Sequence, residues 1–67
     1  MEDFKTKLKE LRKEAKLSPL EFGMIIGVSQ ATIYRWENGE MYPGIDDLYK
    51  ICKHFGVSAD YLLGLED

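Results

Sequence analysis

Three Ser-headed start signals and four well-placed glycines cut this chain into pieces that suit only a set of short helices. Leu17-Ser18-Pro19-Leu20-Glu21-Phe22 is the densest of the start signals. Ser18 can cap a helix, Pro19 suits its first position, Glu21 completes an S-x-x-E box, and Leu17 can staple onto Phe22. Val28-Ser29 and Val57-Ser58 repeat the pattern of an apolar residue followed by a cap. Gly27, Gly39, Gly56 and Gly64 fall where a left-handed residue terminates a helix. Between these marks apolar residues recur at helical spacing. Phe4, Leu8, Leu11 and Ala15 form a first stripe, and Ile45, Leu48, Ile51, Cys52 and Phe55 form a fourth. No stretch alternates in the manner of a strand. The expected fold is all-α, with helices at about residues 3–16, 19–26, 30–37, 45–55 and 59–63.

A chain of 67 residues leaves room for one hydrophobic core, so residues 1–67 are expected to form a single domain. Cys52 is the only cysteine, which excludes an internal disulfide and fits a reduced, cytoplasmic setting. No apolar run approaches the roughly 20 residues of a membrane span, and the opening MEDFKTKLKE is unlike a secretory signal. The formal charge is −3. Four of the acids, Glu2, Asp3, Glu66 and Asp67, lie at the ends, and residues 4–65 carry nine basic against eight acidic groups. Six of the nine basic residues (Lys5, Lys7, Lys9, Arg12, Lys13 and Lys16) fall within the first sixteen positions. An anionic partner would have to be met by a local face rather than by the whole body.

The segment from Pro19 to Asn38 carries the functional signal. Only Gly27-Val28-Ser29 joins the second helix to the third, and so short a turn through glycine suits the steep crossing of a helix-turn-helix. Gly23, inside the second helix, costs about 1 kcal/mol against alanine and is explained by close approach of the next helix. Val28 can plug the core from the turn, and Ile33 with Trp36 gives the third helix one inner face. Geometry then turns Ala31, Tyr34, Arg35 and Asn38 outward, with Gln30 and Thr32 at the helix start. Gln, Arg and a small apolar residue are the types that read adenine, guanine and the thymine methyl. An ordinary surface helix also shows a few polar residues, so the face alone leaves both readings open.

The run Leu17-Ser18 … Gly27-Val28-Ser29 … Ile33-Tyr34-Arg35-Trp36-Glu37-Asn38-Gly39 … Pro43 … Leu48 … Phe55-Gly56-Val57-Ser58 … Leu62-Leu63-Gly64 resembles the lambda-repressor-like (XRE-type) helix-turn-helix domain over about residues 8–66. The resemblance implies a five-helix domain that inserts its third helix into the major groove of an operator, as a sequence-specific transcriptional regulator and repressor. It places base contacts on Gln30, Ala31 and Arg35. Backbone or flanking contacts fall on Thr32, Tyr34 and Asn38. Two positions depart from the family pattern: Pro19 stands where a glutamine is usual, and Glu40 where a basic residue is usual. Both weaken the expected grip on phosphates. A weak homodimer, favoured on DNA with half-sites about 34 Å apart, would supply the missing affinity. Its expected surface is the C-terminal end, at Tyr61 and Leu65.

The remaining polar groups favour structure over chemistry. Arg12 and Glu37 are expected to pair across helices, as the resembling family implies. Cys52 is expected in the core and His54 at the surface. No metal set, nucleophile–base arrangement or phosphate loop is present in the sequence, so neither a cofactor nor an enzymatic activity is expected. Leu20 and Met24, four apart on the second helix, sit where the family generally carries polar residues. They are either isolated surface apolars or a patch for a protein partner. The alternative function is thus a protein-interaction module of the same fold, such as an antitoxin-like or antagonist subunit.

Overall fold

The computed structural model describes residues 2–66 and contains five helices: α1 (Glu2–Glu14), α2 (Pro19–Ile26), α3 (Gln30–Glu37), α4 (Ile45–Phe55) and α5 (Ala59–Leu63). No strand occurs among the described residues. Ser18 Oγ accepts the Glu21 amide at 3.1 Å and Glu21 Oε1 accepts the Ser18 amide at 2.8 Å, a complete capping box. Ser29 and Ser58 cap α3 and α5 by accepting the amides of Thr32 and Tyr61. α4 starts without a side-chain cap, and Asp46 and Asp47 in its first turn offset the helix dipole there.

α1 ends two residues short of the expected Lys16. Lys16 itself takes the left-handed conformation (φ 59°), while its amide reaches Lys13 O and the Leu17 amide reaches Arg12 O. That pattern of bonds is a C-terminal cap, here formed without glycine. Ala15, whose amide still reaches Leu11 O at 3.1 Å, is exposed.

Phe4 and Leu8 of α1, Phe22 and Ile26 of α2, Ile33 and Trp36 of α3, Ile51 of α4 and Leu62 of α5 form one buried cluster. Every helix contributes, so none can leave without opening the core. The Phe22 and Phe55 rings lie 5.4 Å apart, tying α2 to α4. Phe4 meets Tyr42 edge-on at 5.8 Å, which holds the loop after α3 onto α1. Lys7 joins α1 to α5: its Nζ donates to Tyr61 O at 2.9 Å and stands 4.6 Å from the Tyr61 ring centroid. The fourth stripe is narrower than its spacing suggested. Leu48, Cys52 and Phe55 pack against the core, but Ile45, at the first position of α4, is 83% exposed.

Candidate nucleic-acid interface

The α2–α3 crossing is set by backbone approach at Gly23. A Cβ there would lie 2.7 Å from Val28 O, so only glycine lets the turn close onto α2. The neighbour is thus the turn's own carbonyl rather than α3. Gly23 O in return accepts the amides of Gly27 (2.7 Å) and Val28 (2.9 Å), and Gly27 takes φ 93°. The turn is anchored to α2 at both its faces, which fixes where α3 begins.

α3 divides into two faces. Inward stand Ile33, Trp36 and Glu37, all buried. Arg12 Nε donates to Glu37 Oε2 at 2.7 Å, Nη2 to Oε1 at 3.0 Å, and Nη1 to Leu17 O at 2.9 Å. The hydrogen bonds to Glu37 push the Arg12 pKa further up, against burial, which acts in the opposite sense. One guanidinium therefore locks α1, the α1–α2 turn and α3 together.

Outward stand Gln30, Ala31, Tyr34, Arg35 and Asn38, all exposed. Gln30 Nε2 reaches Tyr34 Oη only at 3.4 Å, a bond long enough for either side chain to be released cheaply. Thr32 is half-buried and its hydroxyl lies 3.0 Å from Ser29 Oγ, so it serves the cap first. Asn38 Nδ2 stands 3.4 Å from Glu40 Oε2, and the Glu40 amide donates to Arg35 O at 2.9 Å. The acid after the Asn-Gly turn is thus held beside the amide that the family resemblance assigns to phosphate.

Beside this end of α3 runs a basic rim that the sequence reading did not single out. Lys5, Lys9 and Lys13 follow one another at intervals of four along α1. With Thr6, Glu10 and the edge of Glu37 they line an open cleft of about 290 Å³. The stem of Lys5 lies against Gly39, where a Cβ would meet Lys5 Cδ at 3.1 Å. The signal was present in the spacing, but the side of α1 that meets α3 was not.

The other singled-out residues are dispersed. Leu20 and Met24 are exposed on α2, and so is Ile25. Only Phe22, Gly23 and Ile26 of α2, which packs against α3 and α4, are buried. Cys52 is half-buried against the core, and burial pushes its thiol pKa up, away from a reactive thiolate. His54 is exposed and meets Phe55 edge-on at 4.9 Å. Tyr61 is half-buried beneath Lys7, and Leu65 is exposed beyond α5. No group of three or more His, Cys, Asp or Glu that could hold a metal ion occurs among the described residues. No helix among them is long and apolar enough to cross a membrane.

A helix-turn-helix family model matches residues 8–62, which is most of the chain and all of the α2–α3 unit. The chain belongs to the lambda-repressor-like helix-turn-helix family. This helix-turn-helix chain is 35% identical over 65 residues to the transcriptional activator BcrR of Enterococcus faecalis, covering 97% of itself and 32% of BcrR. It is 37% identical over 57 residues to the antitoxin PezA of Streptococcus pneumoniae, covering 85% and 36% of the two chains. Repressor protein C2 of Salmonella phage P22 is 33% identical over 57 residues, covering 85% of this chain and 26% of the repressor. The chain therefore spans about a third or less of the length of these curated relatives. Its fold superposes on the P22 c2 repressor in complex with synthetic operator 9T with a TM-score of 0.85 at 29% identity. That match covers 92% of this chain and 94% of the repressor chain.

Proposed function

We propose that the chain binds double-stranded DNA in a sequence-specific manner through α3 and regulates transcription as a repressor, by occupying an operator. The observation that carries this reading is the division of α3: an inner face locked by Trp36 and the Arg12–Glu37 pair, and an outer face of loosely held Gln30, Ala31, Tyr34 and Arg35. The fold shared with a repressor solved on its operator supports it. In this reading Arg35 donates a bidentate pair to guanine, Gln30 pairs with adenine, and Ala31 leaves room for a thymine methyl. Asn38 and Thr32 meet the phosphates on either side, Tyr34 flanks them, and the Lys5–Lys9–Lys13 rim supplies the charge that Glu40 and Pro19 do not. Binding of this kind needs neither cofactor nor catalysis, and it places the protein with the DNA in the cytoplasm.

Titration against a random duplex library at two salt concentrations tests the reading. An enriched sequence should emerge, and affinity for all duplexes should fall as salt rises. Equal affinity for enriched and scrambled duplexes would sink it. A second reading, capture of a protein partner by α2, is supported by the exposed Leu20, Met24 and Ile25 and by the similarity to an antitoxin. It predicts an unenriched library.

A further inference from the structure

Two glutamates three residues apart border the end of α3, and they are held in opposite ways. Glu37 is buried and meets the Arg12 guanidinium at 2.7 Å. Glu40 is exposed, and its Oε2 lies 3.4 Å from Nδ2 of Asn38, a neutral amide. The backbone keeps Glu40 at this place, because the amides of Glu40 and Met41 both donate to Arg35 O, at 2.9 and 3.4 Å. An acid is thus tethered at the C-terminal end of α3, where the helix dipole disfavours negative charge. Lys5 reaches the same turn from α1, its Nζ 3.7 Å from where a Cβ of Gly39 would stand.

Asn38 is exposed, and the operator-binding reading assigns its amide to a phosphate. A carboxylate and a phosphate are both anionic acceptors that suit the same amide donor. The amide has a second hydrogen, but a phosphate taken there would stand beside the carboxylate. Either the contact to Glu40 is given up or two like charges meet. Both cost binding, and neither depends on which bases lie in the groove. The penalty therefore falls on backbone contacts, which supply essentially all of non-specific affinity.

We propose that Glu40 is an internal stand-in for phosphate: it engages the Asn38 amide in the free protein and so weakens binding to duplexes of every sequence. The proposal rests on the reading that α3 enters the groove of DNA. It gives Glu40 a part in setting the strength of backbone binding and none in reading bases. With backbone contacts held down, the complex depends more on the base contacts of Gln30, Ala31 and Arg35.

Fluorescence anisotropy titrations of the enriched duplex and a scrambled one test it, with circular dichroism melts confirming that each variant is folded. Glu40→Ala should tighten both complexes roughly two- to fivefold, the scale of one exposed charge contact, and leave their ratio at the wild-type value. That gain should shrink as salt rises. Glu40→Lys should gain more and steepen the salt dependence by about one unit of slope. In an Asn38→Ala background, Glu40→Ala should gain less than in the wild type, since the contact it releases is already gone. A wild type that binds neither duplex overturns the DNA reading and this proposal with it. A wild type that binds, with Glu40→Ala tightening neither duplex, overturns this proposal alone. So does a change confined to the enriched duplex, which would make Glu40 a base reader, or an equal gain with and without the Asn38 amide.

Discussion

α2 and α3 are both eight residues long, both start from a serine with nearly the same backbone angles (φ −76°, ψ 162° and 159°), and each buries three residues. They differ in what they turn to solvent. α2 shows Leu20, Met24 and Ile25, whereas α3 shows Gln30, Ala31, Tyr34 and Arg35. They also differ in how they are held. α2 is fixed through packing and a glycine contact, while α3 is fixed through packing and a buried ion pair. A helix that reads a groove must keep its outer side chains free and its axis still. The Arg12–Glu37 pair meets that need from the far side of α3, where it takes nothing from the reading face.

The comparison breaks most plainly at the ion pair. Glu37→Gln or Arg12→Met should cost about 3–5 kcal/mol of stability, since each leaves one buried charge without its partner. Thermal melts measure this directly. An unchanged melting temperature with lost DNA binding would mean that the pair belongs to the reading face and that the two faces of α3 are not distinct.

Gly23→Ala tests the corresponding fixture of α2. The new Cβ would stand 2.7 Å from a backbone carbonyl that cannot rotate away, so the turn must shift. A loss of roughly 1–3 kcal/mol is expected from such overpacking. Binding should suffer beyond the loss of stability, because α3 is re-aimed. Measuring duplex affinity at a temperature where the variant is fully folded separates the two effects.

Arg35→Ala should leave the melt unchanged and weaken binding to the enriched duplex by about 1–3 kcal/mol, with relaxed preference at one base position. If the ratio of specific to scrambled binding stays at the wild-type value, Arg35 is not a base reader. Lys9→Ala and Lys13→Ala should instead weaken all duplexes alike and flatten the salt dependence.

The smallest effect distinguishes the two caps. Hydrogen bonds from the Ser18 backbone and side chain lower the Glu21 pKa, whereas Thr32, the corresponding residue of α3, does not titrate. A carboxyl whose folded value lies below its unfolded value stabilises the fold above the unfolded pKa and loses that contribution as pH falls through the folded one. Acid should therefore loosen the start of α2 before that of α3. Amide exchange or chemical shifts followed through an acid titration would show it, and Glu21→Gln should remove the difference.

Most helix boundaries were legible in the sequence because capping is local. Ser18, Ser29 and Ser58 bond an amide three residues away, and Gly27, Gly39, Gly56 and Gly64 all take positive φ. The exception follows the same logic. Lys16 adopts a left-handed cap without the glycine that would have announced it, and α1 stops early. Much of the inner face was legible too, since Phe4, Leu8, Ile33, Trp36 and Ile51 follow the helical period.

What the period cannot say is how much of a stripe another helix will cover. By itself the sequence determined five short helices, a Gly-Val-Ser turn and a polar outer face on α3, because each is set within one or two turns of chain. Only the tertiary structure decided that Ile45, Ile25 and Ala15 stay in solvent, that Gly23 faces a turn carbonyl, and that Arg12 grips both Glu37 and Leu17 O. It also decided that the lysines of α1 border the end of α3. Those outcomes depend on which surfaces of separate helices meet, and that is settled by packing between residues far apart in the chain.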